Sequence, residues 1–376
     1  MVCLLVGGCE RHRPKSPDPT KGVVTGTVFC ADTGEPARLA TVILTAAPGK
    51  NDRFDKDDPV PAAETAQTDL HGRFRMEAVK PGRYFAFATL DGYLNPRFAI
   101  DLERIEKLPT DAERILEAQR EWKDQMVEVT VAVQRTTGIA IRIKRAAEID
   151  GTVTFDDGSP AIGVNFRLFR KTDTSSWTGV GVILFGGPAV PVITDSRGHY
   201  AISSLPAGEY IVCAVIPDSY NDEAGLTVCN GNVFRRRNAE LVKATEGEAL
   251  HGVDIEVPLT NIYRVDGTVT SLSDGRPLSG DNVQLLYADN KEKVMSCKTD
   301  AEGAFVFPYV HRDSYIVEVG STEWTEEAAS DDSGGTPPPK RVHHFKGKEV
   351  PLDLQSDMTN VDVALPETPP RKPAAE

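Results

Sequence analysis

Three stretches of this chain carry one spaced pattern, and that repetition limits the possible folds more than any other feature. They read Thr68-Asp69-Leu70-His71-Gly72-Arg73-Phe74, Thr194-Asp195-Ser196-Arg197-Gly198-His199-Tyr200 and Thr299-Asp300-Ala301-Glu302-Gly303-Ala304-Phe305. Each continues to an apolar residue two positions on (Met76, Ile202, Phe307) and then to Tyr84, Tyr210 or Tyr315. The step from the aspartate to that tyrosine is 15 residues in every copy. The chemistry is that of a turn between strands. Asp69, Asp195 and Asp300 can accept hydrogen bonds from backbone two residues on, and Gly72, Gly198 and Gly303 supply a positive φ. Apolar residues at alternate positions after each turn place one face of a strand inward.

Two further landmarks flank this one. A strand ending in Gly-Thr-Val precedes it, at Gly26-Thr27-Val28, Gly151-Thr152-Val153 and Gly267-Thr268-Val269. A turn follows that strand, at Gly34-Glu35-Pro36, Gly158-Ser159-Pro160 and Gly275-Arg276-Pro277. A period-2 strand closes each copy: Val127/Val129/Val131/Val133, Val253/Ile255/Val257/Leu259 and Val361/Val363/Leu365. The expectation is an all-β chain of three tandem, seven-stranded Greek-key β-sandwiches. The units are set at residues 22–136, 137–260 and 261–367, with a linker over 1–21 and a disordered tail over 368–376. The first unit carries a helical insertion near 110–125, opened by the capping box of Thr110 and Glu113 and read as a cover for a sheet edge. Ser330 to Gly335 and Pro337 to Pro339 read as an exposed loop in the third.

Taken together, the Gly-Thr-Val strand, the Gly-x-Pro turn, the Thr-Asp-x-x-Gly-aromatic turn and the Pro-x-Gly-x-Tyr segment resemble the carboxypeptidase regulatory-like domain. Related modules are the transthyretin-like, starch-binding-like and collagen-adhesin B-type sandwiches. The resemblance covers nearly all of residues 22–367. It implies a prealbumin-like fold and a non-catalytic accessory or envelope role, with carbohydrate binding as one use of the fold. The Lys–Asn isopeptide bond of the collagen-adhesin repeats is not expected, because no lysine lies in the first strands at 23–28, 148–153 or 264–269.

Composition bears on partners. With 42 basic against 56 acidic residues the net charge is −14, which argues against nucleic acid as the main partner. The basic run Arg235-Arg236-Arg237 reads as a solvated turn. Leu4-Leu5-Val6-Gly7-Gly8-Cys9 and the Pro-rich stretch after it resemble a bacterial lipobox. That resemblance makes Cys9 the lipidation candidate, with the rest of an export signal upstream of Met1. It implies an extracytoplasmic, lipid-anchored protein in the periplasm or at the outer membrane or cell surface.

Catalytic chemistry is not expected. None of the seven histidines is followed by glutamate three residues on, and no Gly-x-Ser-x-Gly or phosphate loop occurs. The repetition of Asp69, Asp195 and Asp300 favours three turns over three reaction sites. No metal or other cofactor is expected. His343-His344 is the nearest approach to a metal pair, but neighbours in a strand face opposite sides. Cys213 and Cys229 lie in one unit and are the disulfide candidates. Trp177 is the leading ligand-contact residue, since carbohydrate recognition uses exposed rings; Trp122 and Trp324 lie in other units. The partners to expect are a polysaccharide or an envelope protein. A spacer with no specific ligand, or an enzyme whose site the motifs do not reveal, is the alternative.

Overall fold

The computed structural model describes residues 18–47, 63–96, 108, 113, 117, 125–171, 177–180, 192–217, 225–325 and 342–368. The first unit comprises β1 (Gly22–Cys30), β2 (Thr41–Ala46), β3 (Glu64–Gln67), β4 (Arg73–Val79), β5 (Gly82–Thr89), β6 (Val127–Val131) and β7 (Thr136–Ile143). One sheet has the order β4-β1-β7 and the other β3-β2-β5-β6. Between them lies an apolar core that includes Val28, Leu44, Phe74, Val129 and Ile141. The described residues are nearly all β, as expected from the repeat, and each unit holds two such sheets, the third adding a small three-stranded sheet of its own.

The second unit runs through β8 (Ala147–Phe155), β9 (Asn165–Lys171), β10 (Trp177–Val180), β11 (His199–Leu205), β12 (Gly208–Ile216), β13 (Leu226–Cys229), β14 (Val242–Ala244), β15 (Ala249–Leu250) and β16 (Ile255–Val257). The third holds β17 (Ile262–Ser271), β18 (Asn282–Tyr287), β19 (Lys293–Lys298), β20 (Ala304–His311), β21 (Ser314–Val319), β22 (Thr322–Thr325), β23 (Val342–Phe345), β24 (Lys348–Asp353), β25 (Val363–Leu365) and β26 (Glu367–Thr368). Their first sheets read β11-β8-β15, with β16 also on β8, and β20-β17-β25. Each has its own core, around Ile149, Leu205 and Tyr210 in the second unit and around Phe305, Phe307 and Tyr315 in the third.

The repeated residues account for the repeated geometry. The hydroxyls of Thr68, Thr194 and Thr299 donate to the carbonyls of Ala37, Ala161 and Leu278 at 2.6–2.7 Å. Those same oxygens accept the N–H of Ala40, Val164 and Asp281 at 2.8–2.9 Å. The glycine of each turn has φ of +71°, +78° or +73°. A Cβ there would approach the carbonyl oxygen of Val28, Val153 or Val269 within 2.4–2.7 Å and crowd Pro36, Pro160 or Pro277. The Gly-x-Pro and Asp-x-x-Gly landmarks recur together because the two turns pack on one another. The shared tyrosines close the motif, their hydroxyls donating to the carbonyls of Lys80, Pro206 and His311 four residues earlier.

The first boundary moves. The spacing puts residues 137–143 in the second unit, yet β7 lies parallel to β1 from Val23↔Thr136 to Cys30↔Ile143. Ile141 and Ile143 are buried in the first core. The first unit therefore ends at Ile143, and Lys144, Arg145 and Ala146 lead into β8. The source of the error is strand equivalence. Val28, Val153 and Val269 pair with Ile141, Ile255 and Val363, so the counterpart of the closing strand in the first unit is Ile139/Ile141/Ile143. The Val127–Val131 strand is the sixth strand, on β5. At the other end, Thr368 pairs with His344, so the third unit runs one residue past 367. The helix expected near 110–125 and the loop over 330–339 fall almost wholly outside the described residues.

Candidate functional site between the second and third units

In the second unit the strand position beside β12 is shared. β13 pairs with the far half of β12, from Cys213↔Cys229 to Ile216↔Leu226, and β14 with its near end, at Gly208 to Tyr210. The chain between them must leave the sheet and return. Its base is fixed on both sides. Cys213 and Cys229 are joined in a disulfide at the end of the β12–β13 pairing. The Asn230 side chain accepts the Val212 N–H at 3.1 Å and donates to the Glu240 carbonyl at 2.5 Å. A short 3-10 turn, Arg236–Asn238, forms the crest.

This excursion delivers Phe234-Arg235-Arg236-Arg237 to the third unit. The Arg235 guanidinium donates to Asp313 Oδ2 at 2.6 and 2.9 Å and to both Asp289 oxygens at 2.8 and 2.9 Å. It also lies over the Tyr287 ring, 4.1 Å from the centroid. Arg237 adds a 2.5 Å contact to Asp289, and Arg236 sits 3.3 Å from Glu292 while covering Phe169 of its own unit. The basic run is thus no solvated turn: the Arg235 side chain is only 14% exposed. Two carboxylates and a ring make burial of its charge tolerable, since an unpaired charge would incur a large desolvation cost. The Arg235 and Arg237 guanidiniums beside Asp289 hold its carboxyl below the usual range, with Arg237 the larger influence.

Phe234 stacks on His311 at 4.1 Å between centroids with 11° between the planes. His311 Nδ1 lies 2.7 Å from the Tyr315 hydroxyl and Nε2 3.3 Å from Asp313. Burial pushes the imidazole down to about 4, against the opposing pull of Asp313. His311 is therefore neutral at physiological pH. Beside this contact an open cleft of about 310 Å³ runs between the units, with the disulfide in its wall and Arg167, Lys293 and Tyr309 along its sides.

The residues singled out from sequence fall elsewhere. Asp69 Oδ1 accepts the N–H groups of His71 and Arg73, Asp195 those of Arg197 and His199, and Asp300 those of Glu302 and Ala304, all at 2.7–3.0 Å. Backbone donors hold Asp69 and Asp195 below the usual carboxylate range, chiefly Arg73 N–H for the first and Arg197 N–H for the second. These carboxylates are turn caps, one in each unit, and they do not converge on a common site. Trp177 opens β10, opposite Lys171 on β9. Trp324 packs against the third core with Arg276 over its ring at 4.3 Å. His343 and His344 lie on β23 and contact different carboxylates, Glu367 and Glu323. Cys9 and Trp122 lie outside the described residues. The described residues hold no group of three or more His, Cys, Asp or Glu suited to a metal ion. None of their helices is long and apolar enough to cross a membrane. Sequence reasoning missed the Phe234–Arg237 excursion, and its one available signal was an aromatic residue next to three arginines in an acidic chain.

No family model matches this chain, and no curated protein matches it. Among solved structures it is similar to the TIE protein of Bacillus anthracis, at 12% identity and a TM-score of 0.21, over 93% of this chain and 51% of that one. The chain thus spans about half the length of that protein. It is also similar to a streptococcal ancillary pilin, at 11% identity and a TM-score of 0.27, over 93% of this chain and 99% of that one. A minor pilin of Streptococcus agalactiae aligns at 16% identity and a TM-score of 0.27, over 63% of this chain and 95% of the pilin. Likeness at this level assigns neither a family nor a role.

Proposed function

We propose that this chain is a non-catalytic scaffold of the bacterial envelope, built from three units of the carboxypeptidase regulatory-like kind, whose second and third units act as one stiff body. The observation that carries this reading is the buried Arg235 clamp between Asp289 and Asp313. A flexible string of beads has no use for a buried cation that bridges two beads, and breaking such a pair would leave uncompensated charge. The Cys213–Cys229 disulfide supports an oxidising, extracytoplasmic compartment. Lipidation at Cys9 would tether the chain to a membrane without spanning it. In this reading the stiff pair presents its loops and cleft to a polysaccharide or an envelope protein.

The test is small-angle scattering of the full chain against Arg235→Ala. Wild type should scatter as a chain with one fixed joint. The variant should show a larger radius of gyration and a flexible profile, with the units still folded by circular dichroism. Identical scattering from the two proteins would remove the basis for a stiff pair.

A further inference from the structure

The cleft beside the clamp has a chemistry of its own. Its volume of about 310 Å³ falls at the lower end of the range for small-ligand sites, roughly 300–1,000 Å³, and domain junctions are a common place for them. In a chain of net charge −14, its lining brings together Arg167, Arg236 and Lys293 against the single carboxylate of Glu292. Arg236 is engaged by Glu292 and by the Phe169 ring. Lys293 is exposed at the start of the edge strand β19 and has no ion-pair partner among the described residues. Tyr309, on β20, is 42% exposed, and its hydroxyl has no hydrogen bond among the described residues. An uncovered ring and an uncommitted ammonium thus share one cationic cleft.

We propose that this cleft binds an acidic oligosaccharide, with a sugar ring against Tyr309 and a ring carboxylate met by Lys293. A pyranose presents C–H groups on its faces and oxygens around its rim. That pattern complements a flat aromatic surface bordered by donors. Carboxylates on the sugar answer the local excess of cations, and charge-assisted hydrogen bonds fix their position. An acidic peptide would satisfy the charge but has no need of an exposed ring, so Tyr309 separates the two ligand classes. The site rests on the scaffold reading, because the walls of the cleft come from both docked units, but the two fail separately: loss of stiffness is read by scattering of Arg235→Ala, loss of binding by titration of Lys293 and Tyr309 variants.

The experiment is isothermal titration of the full chain with hexagalacturonate, with maltohexaose and hexaglutamate as comparison probes. Hexagalacturonate should bind, and maltohexaose should not. Lys293→Glu and Tyr309→Ala should each weaken binding by about tenfold or more, while Tyr309→Phe, which keeps the ring, should retain most of it. Both positions are exposed, so thermal unfolding of the variants should match wild type. Absence of hexagalacturonate binding would overturn the proposal, as would equal binding of maltohexaose. Binding of hexaglutamate that survives Tyr309→Ala would assign the cleft to acidic peptide instead. Hexagalacturonate binding unaffected by either substitution would place the sugar elsewhere.

Discussion

Asp281 is where one unit departs from the other two. Ala40, Val164 and Asp281 occupy the same place, each donating its N–H to the hydroxyl oxygen of the threonine of its Thr-Asp turn and accepting that threonine's N–H at its carbonyl. Alanine and valine suit a buried position, whereas Asp281 is 8% exposed. Its Oδ1 accepts from the Thr322 hydroxyl at 2.5 Å, while Oδ2 is buried without a partner. Burial raises its carboxyl above the usual range, with Thr322 opposing. A raised carboxyl favours the folded state most when protonated, so its contribution is present in acid and lost as pH rises through the shifted value. Asp281→Val should therefore stabilise the third unit at neutral pH by about 1–3 kcal/mol, the usual penalty for an orphaned buried acceptor. The gain should shrink in acid. Denaturant unfolding of wild type and variant at neutral and acid pH measures both.

The excursion between β13 and β14 shows how an element gains a role its residues do not announce. Its base is pinned by the Cys213–Cys229 disulfide, across a sequence separation of 16. For a loop of that size the bond contributes about 3 kcal/mol by restricting the unfolded chain. The double substitution Cys213→Ser, Cys229→Ser should lower the unfolding midpoint of the second unit. It should also loosen the excursion, seen as faster amide exchange at Arg235 to Ala239; unchanged exchange there would mean that Asn230 and the clamp suffice to hold it. Why the turns were legible in the sequence and this excursion was not is a matter of range. Thr68, Asp69 and Gly72 act mainly on residues of their own turn and on the Gly-x-Pro turn it meets, so a short pattern encodes them. Arg235 meets Asp289 and Asp313, 54 and 78 residues away, and no local spacing records that. The misplaced boundary has a related cause. Val127–Val131 and Thr136–Ile143 both alternate apolar and other residues, and only pairing partners, β5 for one and β1 for the other, tell the sixth strand from the seventh.

At the scale of the molecule, the joint between the second and third units should respond to pH through His311. The groups around it are Phe234 and Arg235 from the second unit and Tyr287, Asp313 and Tyr315 from the third. A histidine held down to about 4 takes up its proton more readily once released, at an ordinary value of 6.5. The docked state therefore has its full contribution above 6.5 and loses it as pH falls from there towards 4. If undocking freed the ring fully, the effect would approach roughly 3 kcal/mol. Scattering and thermal unfolding across that range should show the joint weakening, and His311→Gln should flatten the response. The path of the chain through the units has a further consequence. In each one a closing strand, β7, β16 or β25, lies parallel to the first strand, and after the first two the next unit starts within a few residues. Tension on the two ends of a unit would thus drag two neighbouring strands past each other, loading their cross-links together instead of peeling them one at a time. That contact is unbroken over eight residue pairs in the first unit and covers three, Val269↔Val363 to Ser271↔Leu365, in β17 and β25 of the third. Under a steady pull the second and third units, with three such pairs each between β8 and β16 and between β17 and β25, would surrender before the first.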